Sequence, residues 1–163
     1  MLASMEHFGV KADTEGIRKF GETLSEEIDG LEQQIYFRAG KQFNISSPKQ
    51  LGVILFEEMG LPSGKKTKTG YSTGAEVLEE LRDKDPIIDM ILTYRQYTKL
   101  RSTYVEGLLK AVAADGRIHS VFKQTETRTG RISSTEPNLQ NIPVRLRLDL
   151  FLHFWARWLY VRF

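Results

Sequence analysis

The chain has 163 residues, 27% of them charged and 40% hydrophobic, which is an ordinary globular composition with enough length for a packed core. It contains no cysteine, which excludes a disulfide framework, a thiolate metal site and a cysteine nucleophile. The first residues lack the basic and apolar regions of a secretion signal, so we expect a cytoplasmic protein.

The net charge of +2 is unevenly distributed along the chain. Residues 1–32 carry eight acidic and three basic side chains, a balance of −5, whereas residues 94–147 carry ten basic and four acidic ones, a balance of +6. This asymmetry favours a protein that contacts a polyanion with one part of its surface, although a solvated basic face is commoner than a binding one.

The first strong pattern predicts a long helix between Asp13, which is suited to cap its first turn, and Gly40, which is suited to end it. Apolar residues recur at spacings of three and four, and these are Ile17, Phe20, Leu24, Ile28, Leu31 and Ile35. The acidic residues lie on the opposite face. They indicate a solvated surface and not a paired-carboxylate active site.

A second helix is predicted after Ser47, with Pro48 in its first position and Gln50 completing a capping box. Capping alone explains Ser47. Asn44 and Ser46 are less well explained by capping, and a helix N-terminus is a natural phosphate site. A structural role and a phosphate-binding role therefore both remain open for this turn.

Residues 63–73 have no apolar periodicity and contain three lysines and five serine and threonine residues. This composition suits contact with phosphate oxygens without sequence readout, and the glycine spacing excludes a P-loop. The alternative is an ordinary surface loop.

Two further helices are predicted, a short one opened by a capping box at Thr73–Glu76 and a long one from Asp85-Pro86 to about Ala114. A basic, hydroxyl-rich stretch interrupts the apolar pattern in the middle of the long helix, which makes it a candidate to face phosphate. A turn at Asp115-Gly116 then leads to two short strands, predicted over residues 118–124 and 125–134.

Residues 128–145 are polar, basic and rich in turn signals. Pro137 and Pro143 bracket three amide side chains, and we expect that this bracketed segment is not helical. Amide and guanidinium groups held on such a turn are good hydrogen-bond donors to a ligand. The alternative is a polar surface loop.

The run TGRISSTEPNLQNIPVR at 129–145 resembles the signature that opens the palm of family A DNA polymerases, and its length makes the resemblance very specific. The likeness extends to thumb segments of that family over residues 1 to about 145, in the runs FNISS (43–47), KTKTGYST (66–73), YR (94–95) and TKLRSTY (98–104).

The resemblance implies a mostly α protein with a small β part (α+β): a helical thumb subdomain at 1–116 and the first antiparallel strands of an incomplete palm at 117–145. It implies sequence-independent binding of primer–template duplex DNA through the phosphate backbone and the minor groove. The residues that it assigns to DNA contact are Asn44, Ser46, Ser47, Lys65, Lys66, Thr67, Lys68, Ser72, Thr73, Lys99, Arg101, Ser102, Thr103, Arg131, Asn138, Gln140 and Asn141.

The resemblance ends before residues 146–163, a segment in which thirteen of eighteen residues are apolar. Its charged residues argue against a membrane span. A truncated or out-of-frame C-terminus and a diverged terminal strand both remain open as its origin.

The palm aspartates that hold Mg²⁺ in the complete family enzyme, and its fingers, have no counterpart in this chain. We therefore expect a monomer without a cofactor, which grips DNA in support of template-directed nucleotidyl transfer in replication and repair but is itself inactive. The alternatives are a non-functional truncated or frameshifted gene product, and a helical interaction module that does not bind DNA.

Overall fold

The computed structural model describes residues 2–62, 66–67 and 70–142, and for Lys66 and Thr67 it describes the backbone alone. The chain divides into two compact units, one made of Met1–Thr23 with Leu100–Phe163 and the other of Leu24–Lys99. The long helix α2 (Thr14–Ala39) and the helix α5 (Pro86–Leu100) contribute to both units. The predicted apolar tail, residues 146–163, lies outside the described residues, and the predicted subdomain boundaries remain predictions.

The unit Leu24–Lys99 is mainly helical. It contains the second part of α2 and the helix α3 (Pro48–Val53), which continues into a π-helical turn, π1 (Ile54–Glu58). The short helix α4 (Ala75–Glu80) and the helix α5 follow. A small hairpin pairs β2 (Lys66–Thr67) with β3 (Gly70–Tyr71). The core of this unit consists of Ile35, Ile45, Leu51, Leu55, Phe56, Leu78, Leu81, Ile87, Ile88 and Ile91.

In its described residues, the other unit combines helices with two small antiparallel sheets. Helix α1 (Leu2–Phe8) and the first part of α2 are joined by β1 (Val10–Lys11), which pairs with β4 (Arg117–Ile118). After α5 the chain forms a second π-helical turn, π2 (Arg101–Glu106), and the helix α6 (Gly107–Ala111). The strand β5 (Val121–Lys123) then pairs with β6 (Ser133–Thr135), so the predicted α+β class is confirmed.

Helix α1 is held at its C-terminal end by polar contacts from β4 and its neighbours. The Arg117 guanidinium donates to the Phe8 carbonyl at 3.2 Å, and His119 Nδ1 donates to the Glu6 carbonyl at 2.8 Å. The second ring nitrogen of His119 lies 3.1 Å from the Asp115 carboxylate. Because both neighbours of the imidazole are acceptors, the doubly protonated ring satisfies both, and these bonds, to Glu6 first and Asp115 second, raise the pKa of His119.

The predicted helix limits are largely confirmed. Asp13 caps α2 by accepting from the Gly16 N–H at 3.0 Å, and Gly40 follows the helix with φ +74°, a conformation that glycine adopts without strain. The acidic residues Glu22, Glu26 and Asp29 are exposed, as the stripe pattern predicts. The long helix ends at Ala111, three residues before the predicted end.

Several local predictions are wrong. The N-cap of α4 is Gly74 and not Thr73, so no capping box forms there. Gln50 does accept a backbone N–H near its helix start, but that N–H belongs to Asn44 and not to Ser47. The predicted strand 118–124 is interrupted between β4 and β5, because the two strands pair with different partners, and most of 125–132 forms bends and turns.

The prediction that the segment between Pro137 and Pro143 is not helical is also wrong, since Leu139–Asn141 form one 3₁₀ turn. Asn138 caps this turn by accepting from the Gln140 N–H at 3.0 Å. A single 3₁₀ turn fits here because its few bonds do not need the N–H that proline lacks.

Candidate nucleic-acid interface

The turn before α3 uses much of its hydrogen-bonding capacity internally. Asn44 Oδ1 accepts from the Ser46 N–H at 3.0 Å, and Ser47 Oγ accepts from the Gln50 N–H at 3.5 Å. The amide nitrogen of Asn44 and the hydroxyl of Ser46 are on exposed residues. The oxygens at this turn therefore order the backbone, and the exposed donors are the groups that remain for a ligand.

The lysine-rich segment forms the hairpin β2–β3. The sequence patterns did not predict that its backbone is paired. Lys66 lies opposite Tyr71 and Thr67 opposite Gly70 in its register. The predicted contacts Lys65 and Lys68, and the side chains of Lys66 and Thr67, lie outside the described residues.

The strand β3 is anchored where it leaves the hairpin. The Tyr71 ring packs on Phe56 with a centroid distance of 5.0 Å, and Tyr71 Cβ lies 3.1 Å from where a Cβ of Gly52 would be. A side chain at position 52 would therefore press against Tyr71. Ser72 is half-buried next to this anchor.

Thr73 belongs to the same anchor and is only 5% exposed. The Arg95 guanidinium donates to the Thr73 carbonyl at 2.5 Å and to its hydroxyl at 3.3 Å. Burial lowers the pKa of Arg95, whose ordinary value is so high that the group stays charged at neutral pH. Thr73, predicted as a DNA contact, is therefore placed as an internal hydrogen-bond partner. Sequence reasoning did not assign this role to Arg95.

The turn π2 carries three of the predicted contacts, Arg101, Ser102 and Thr103, and Lys99 stands in the last turn of α5. Lys99, Ser102 and Thr103 are exposed, and Arg101 Nε lies 3.6 Å from the Glu106 carboxylate. Inserted π turns are frequent at functional sites. The hydroxyls and the lysine thus lie on the solvent side of a bulged helix.

The inner side of π2 is fixed by close packing. Val105 is 5% exposed, and its Cγ1 lies 2.6 Å from where a Cβ of Gly21 would be. Only a residue without a side chain allows α2 to approach π2 so closely.

Residues 129–142, the described part of the signature run (the signature segment), are held in place by two buried serines. Ser134 is 0% exposed and Ser120 is 3% exposed, and their hydroxyl oxygens lie 2.6 Å apart. The Ser120 hydroxyl also lies 3.0 Å from the Thr135 carbonyl and 2.8 Å from the Pro137 carbonyl. Ser134 Oγ accepts from the Leu139 N–H at 3.3 Å.

The amide of Gln140 is turned towards its own backbone. Its Nε2 donates to the Ile132 carbonyl at 2.8 Å, and its Oε1 accepts from the Ser134 N–H at 3.3 Å. Gln140, predicted as a DNA contact, thus braces the segment. The Tyr104 hydroxyl adds a bond at 2.5 Å to the Asn141 carbonyl.

Three predicted contacts of the signature segment remain directed to solvent. Arg131, Asn138 and Asn141 are exposed. Within residues 2–62 and 70–142, no side-chain hydrogen bond or ion pair is seen for Arg131 or Asn141, and Asn138 uses only its oxygen. Gln140 is also exposed, but its amide bonds to backbone groups, so the exposed donors left for a ligand are the guanidinium of Arg131 and the NH₂ groups of Asn138 and Asn141.

The described residues contain no group of three or more His, Asp or Glu side chains that could hold a metal ion. The resemblance to family A DNA polymerases implies a divalent metal for the complete enzyme, but the described residues do not fit a two-metal site. Among the described helices, none has the length and apolar character to cross a membrane.

Basic, hydroxyl-rich segments and exposed donors on a braced turn are chemically suited to contact the backbone and groove edges of a nucleic acid. The chain matches the family described as DNA polymerase family A over residues 14–150. It is 57% identical over 147 residues to DNA polymerase I of Bacillus subtilis (strain 168) and 58% identical over 148 residues to that of Bacillus caldotenax. Each match covers 90% of this chain and 17% of the relative.

A solved structure agrees with these relatives. The chain matches the POL domain of Pol1 from M. smegmatis, in complex with DNA primer-template and dNTP, with a TM-score of 0.79 and 45% identity, covering 93% of this chain and 27% of the other. This chain belongs to DNA polymerase family A. It spans about one sixth of the length of the curated relatives that it matches.

Proposed function

We propose that this chain grips primer–template DNA without regard to sequence, as part of template-directed nucleotidyl transfer in replication and repair. The observation that carries the proposal is the set of exposed donors Arg131, Asn138 and Asn141 on a turn braced by buried bonds. The similar polymerase domain that was solved with DNA primer-template supports it.

The proposed grip has two components with different chemistry. The first is contact with phosphates by the lysine-rich hairpin and by the exposed residues Lys99, Ser102 and Thr103. Lysines and hydroxyls recognise phosphate oxygens in any sequence, and binding through them weakens as salt rises. The donors at Asn44 and Ser46 extend this component.

The second component is contact with the minor groove at the primer end. Minor-groove acceptors lie at nearly equivalent positions in all Watson–Crick pairs, so donors there test base-pair geometry without reading sequence. Arg131, Asn138 and Asn141 supply donors of this kind. Gln140 and Thr73 are left out of the proposed contacts because their polar groups serve the fold.

The two components are separable by measuring the binding of labelled duplexes by fluorescence anisotropy over a range of salt concentrations. Replacing Lys65, Lys66 and Lys68 together by Ala should weaken binding to all duplexes and flatten the log–log salt dependence by about 0.9 for each lost phosphate contact. Lys19→Ala is the matched control, because Lys19 is exposed and paired with Glu15 at 3.0 Å.

Arg131→Ala should instead reduce affinity for a recessed primer–template end more than for a blunt duplex. A charged donor at a base edge contributes about 1–3 kcal/mol, and we expect the lower end of that range for this chain alone. Arg128→Ala is the control, because Arg128 is exposed in the same segment and carries the same charge.

Two results would contradict the proposal. The first is no binding to any duplex at low salt, which would favour a helical interaction module instead. The second is an equal loss for all duplexes with Arg131→Ala while the lysine variant keeps the full salt slope.

A further inference from the structure

We propose that Ser134 is a positioning residue for the primer-end contact, acting through the exposed donors Arg131, Asn138 and Asn141. The inference rests on the proposed function, because it concerns how the same donors are aimed. Ser134 itself is 0% exposed, so its hydroxyl touches no ligand.

The first step of the argument is the set of contacts made by the Ser134 hydroxyl. It lies 2.6 Å from the Ser120 hydroxyl and 3.3 Å from the Pro137 carbonyl, and it accepts the Leu139 N–H. The two hydroxyls carry two protons in total. The acceptors within reach of these protons are the carbonyls of Thr135 and Pro137 and the oxygen of the other hydroxyl. Every hydroxyl proton in this buried cluster therefore has an acceptor, and the network specifies one arrangement of the backbone.

The second step is where these contacts lie in the segment. Pro137 immediately precedes Asn138, and Leu139 begins the 3₁₀ turn that Asn138 caps and that ends at Asn141. The hydroxyl cluster thus holds both sides of Asn138. Removing Ser134 Oγ would leave the Leu139 N–H without its acceptor and free the start of the turn.

The third step connects this turn to Arg131. The Ser134 N–H donates to Gln140 Oε1, and Gln140 Nε2 donates to the carbonyl of Ile132, the residue after Arg131. The Thr127 hydroxyl also donates to the Arg131 carbonyl. One chain of bonds therefore links the backbone at Arg131 with the turn at 138–141, and donors that must meet one base-pair edge need such a fixed relation.

The test uses the full 163-residue chain with two fluorescein-labelled probes, a recessed primer–template and a blunt duplex of the same length. Its readout is the ratio of the two affinities, measured well below the unfolding temperature. Ser134→Ala should lower the preference for the recessed end as much as Arg131→Ala does, by about fivefold, with affinity for the blunt duplex unchanged. Ser120→Ala is a milder second variant, because Ser134 keeps the Leu139 contact.

The control is Thr98→Ala, which removes a hydroxyl that donates to the Tyr94 carbonyl at 2.8 Å on α5. A serine with only a structural role would change the stability, as we expect Thr98→Ala to do, and leave the affinity ratio of the folded protein unchanged. Amide hydrogen exchange provides an independent readout. Ser134→Ala should speed exchange of the Leu139 amide and leave the amides of the β1–β4 pair unchanged.

The outcomes separate the two proposals. Loss of end preference in Ser134→Ala with faster Leu139 exchange supports the positioning role. If Arg131→Ala loses the preference and Ser134→Ala keeps it, the positioning role is overturned and the proposed function stands. If the unmodified chain shows no preference for recessed ends, the primer-end contact and the positioning role both fall.

Discussion

Because α2 and π2 approach each other closely, we predict that replacing two glycines of α2 by Ala changes the free energy of unfolding in opposite directions. Gly21 and Gly30 both lie within α2. A Cβ at Gly21 would lie 2.6 Å from Val105 Cγ1, whereas a Cβ at Gly30 would meet nothing within 4 Å. Replacing either glycine by Ala favours the helix by about 1 kcal/mol, because Ala loses less backbone entropy on folding.

At Gly21 the contact with Val105 opposes this gain. Val105 is buried and β-branched, so its methyl group moves only if the side chain or the backbone of π2 shifts. Overpacking of this kind costs about 1–3 kcal/mol. The net effect of Gly21→Ala on the free energy of unfolding is therefore between about zero and 2 kcal/mol of destabilisation, whereas Gly30→Ala should stabilise by up to about 1 kcal/mol.

The two variants are compared by urea denaturation, with thermal unfolding as a second measure. For a chain of this size, about 1 kcal/mol corresponds to a shift of the melting temperature by about 2–4 °C. If Gly21→Ala stabilises the protein as much as Gly30→Ala does, the close contact with Val105 is wrong. Because Val105 shares π2 with Ser102 and Thr103, Gly21→Ala should also weaken duplex binding, and Gly30→Ala should not.

Three further predictions concern titration and catalysis. Because its pKa is raised on folding, His119 should stabilise the protein fully below its unfolded value of about 6.5, and this contribution should fade as the pH rises through the higher folded value. Melting temperatures of His119→Gln measured from pH 5 to 9 should lack that decline, and an unchanged profile would contradict the bonds to Glu6 and Asp115. The hydrogen bond from Arg38 lowers the pKa of Asp85, so this pair should stabilise the folded protein above about pH 4 and lose its effect as the pH falls through the pKa of Asp85 in the folded state. Arg38→Ala should therefore destabilise the protein at pH 7 and match the unmodified chain in strong acid. An acid titration of unfolding checks this. Finally, the 163-residue chain should not extend a primer with Mg²⁺ and deoxynucleotides, and template-dependent extension above a no-protein control would refute this expectation.

Local interactions explain what the sequence alone determined. The limits of α2 could be predicted because Asp13 and Gly40 determine the backbone conformation and hydrogen bonding next to them. The buried face could be predicted because the helix repeat is regular. The family was readable because the run at 129–145 is long and specific, and the comparisons confirm it.

Only the tertiary structure decided which exposed polar residues of that run bond to the protein's own backbone and which keep their donors for a ligand. Arg131, Asn138 and Gln140 all have side-chain hydrogen-bond donors, and the sequence does not distinguish them. In the fold, the amide of Gln140 bonds to backbone groups of Ile132 and Ser134, which lie beside it. The same applies to Thr73, whose partner Arg95 is distant in the chain. The breaks between β4 and β5 and the bulge at π2 likewise depend on partners far along the chain, because strand pairing and helix packing are set by non-local contacts that local propensity does not contain.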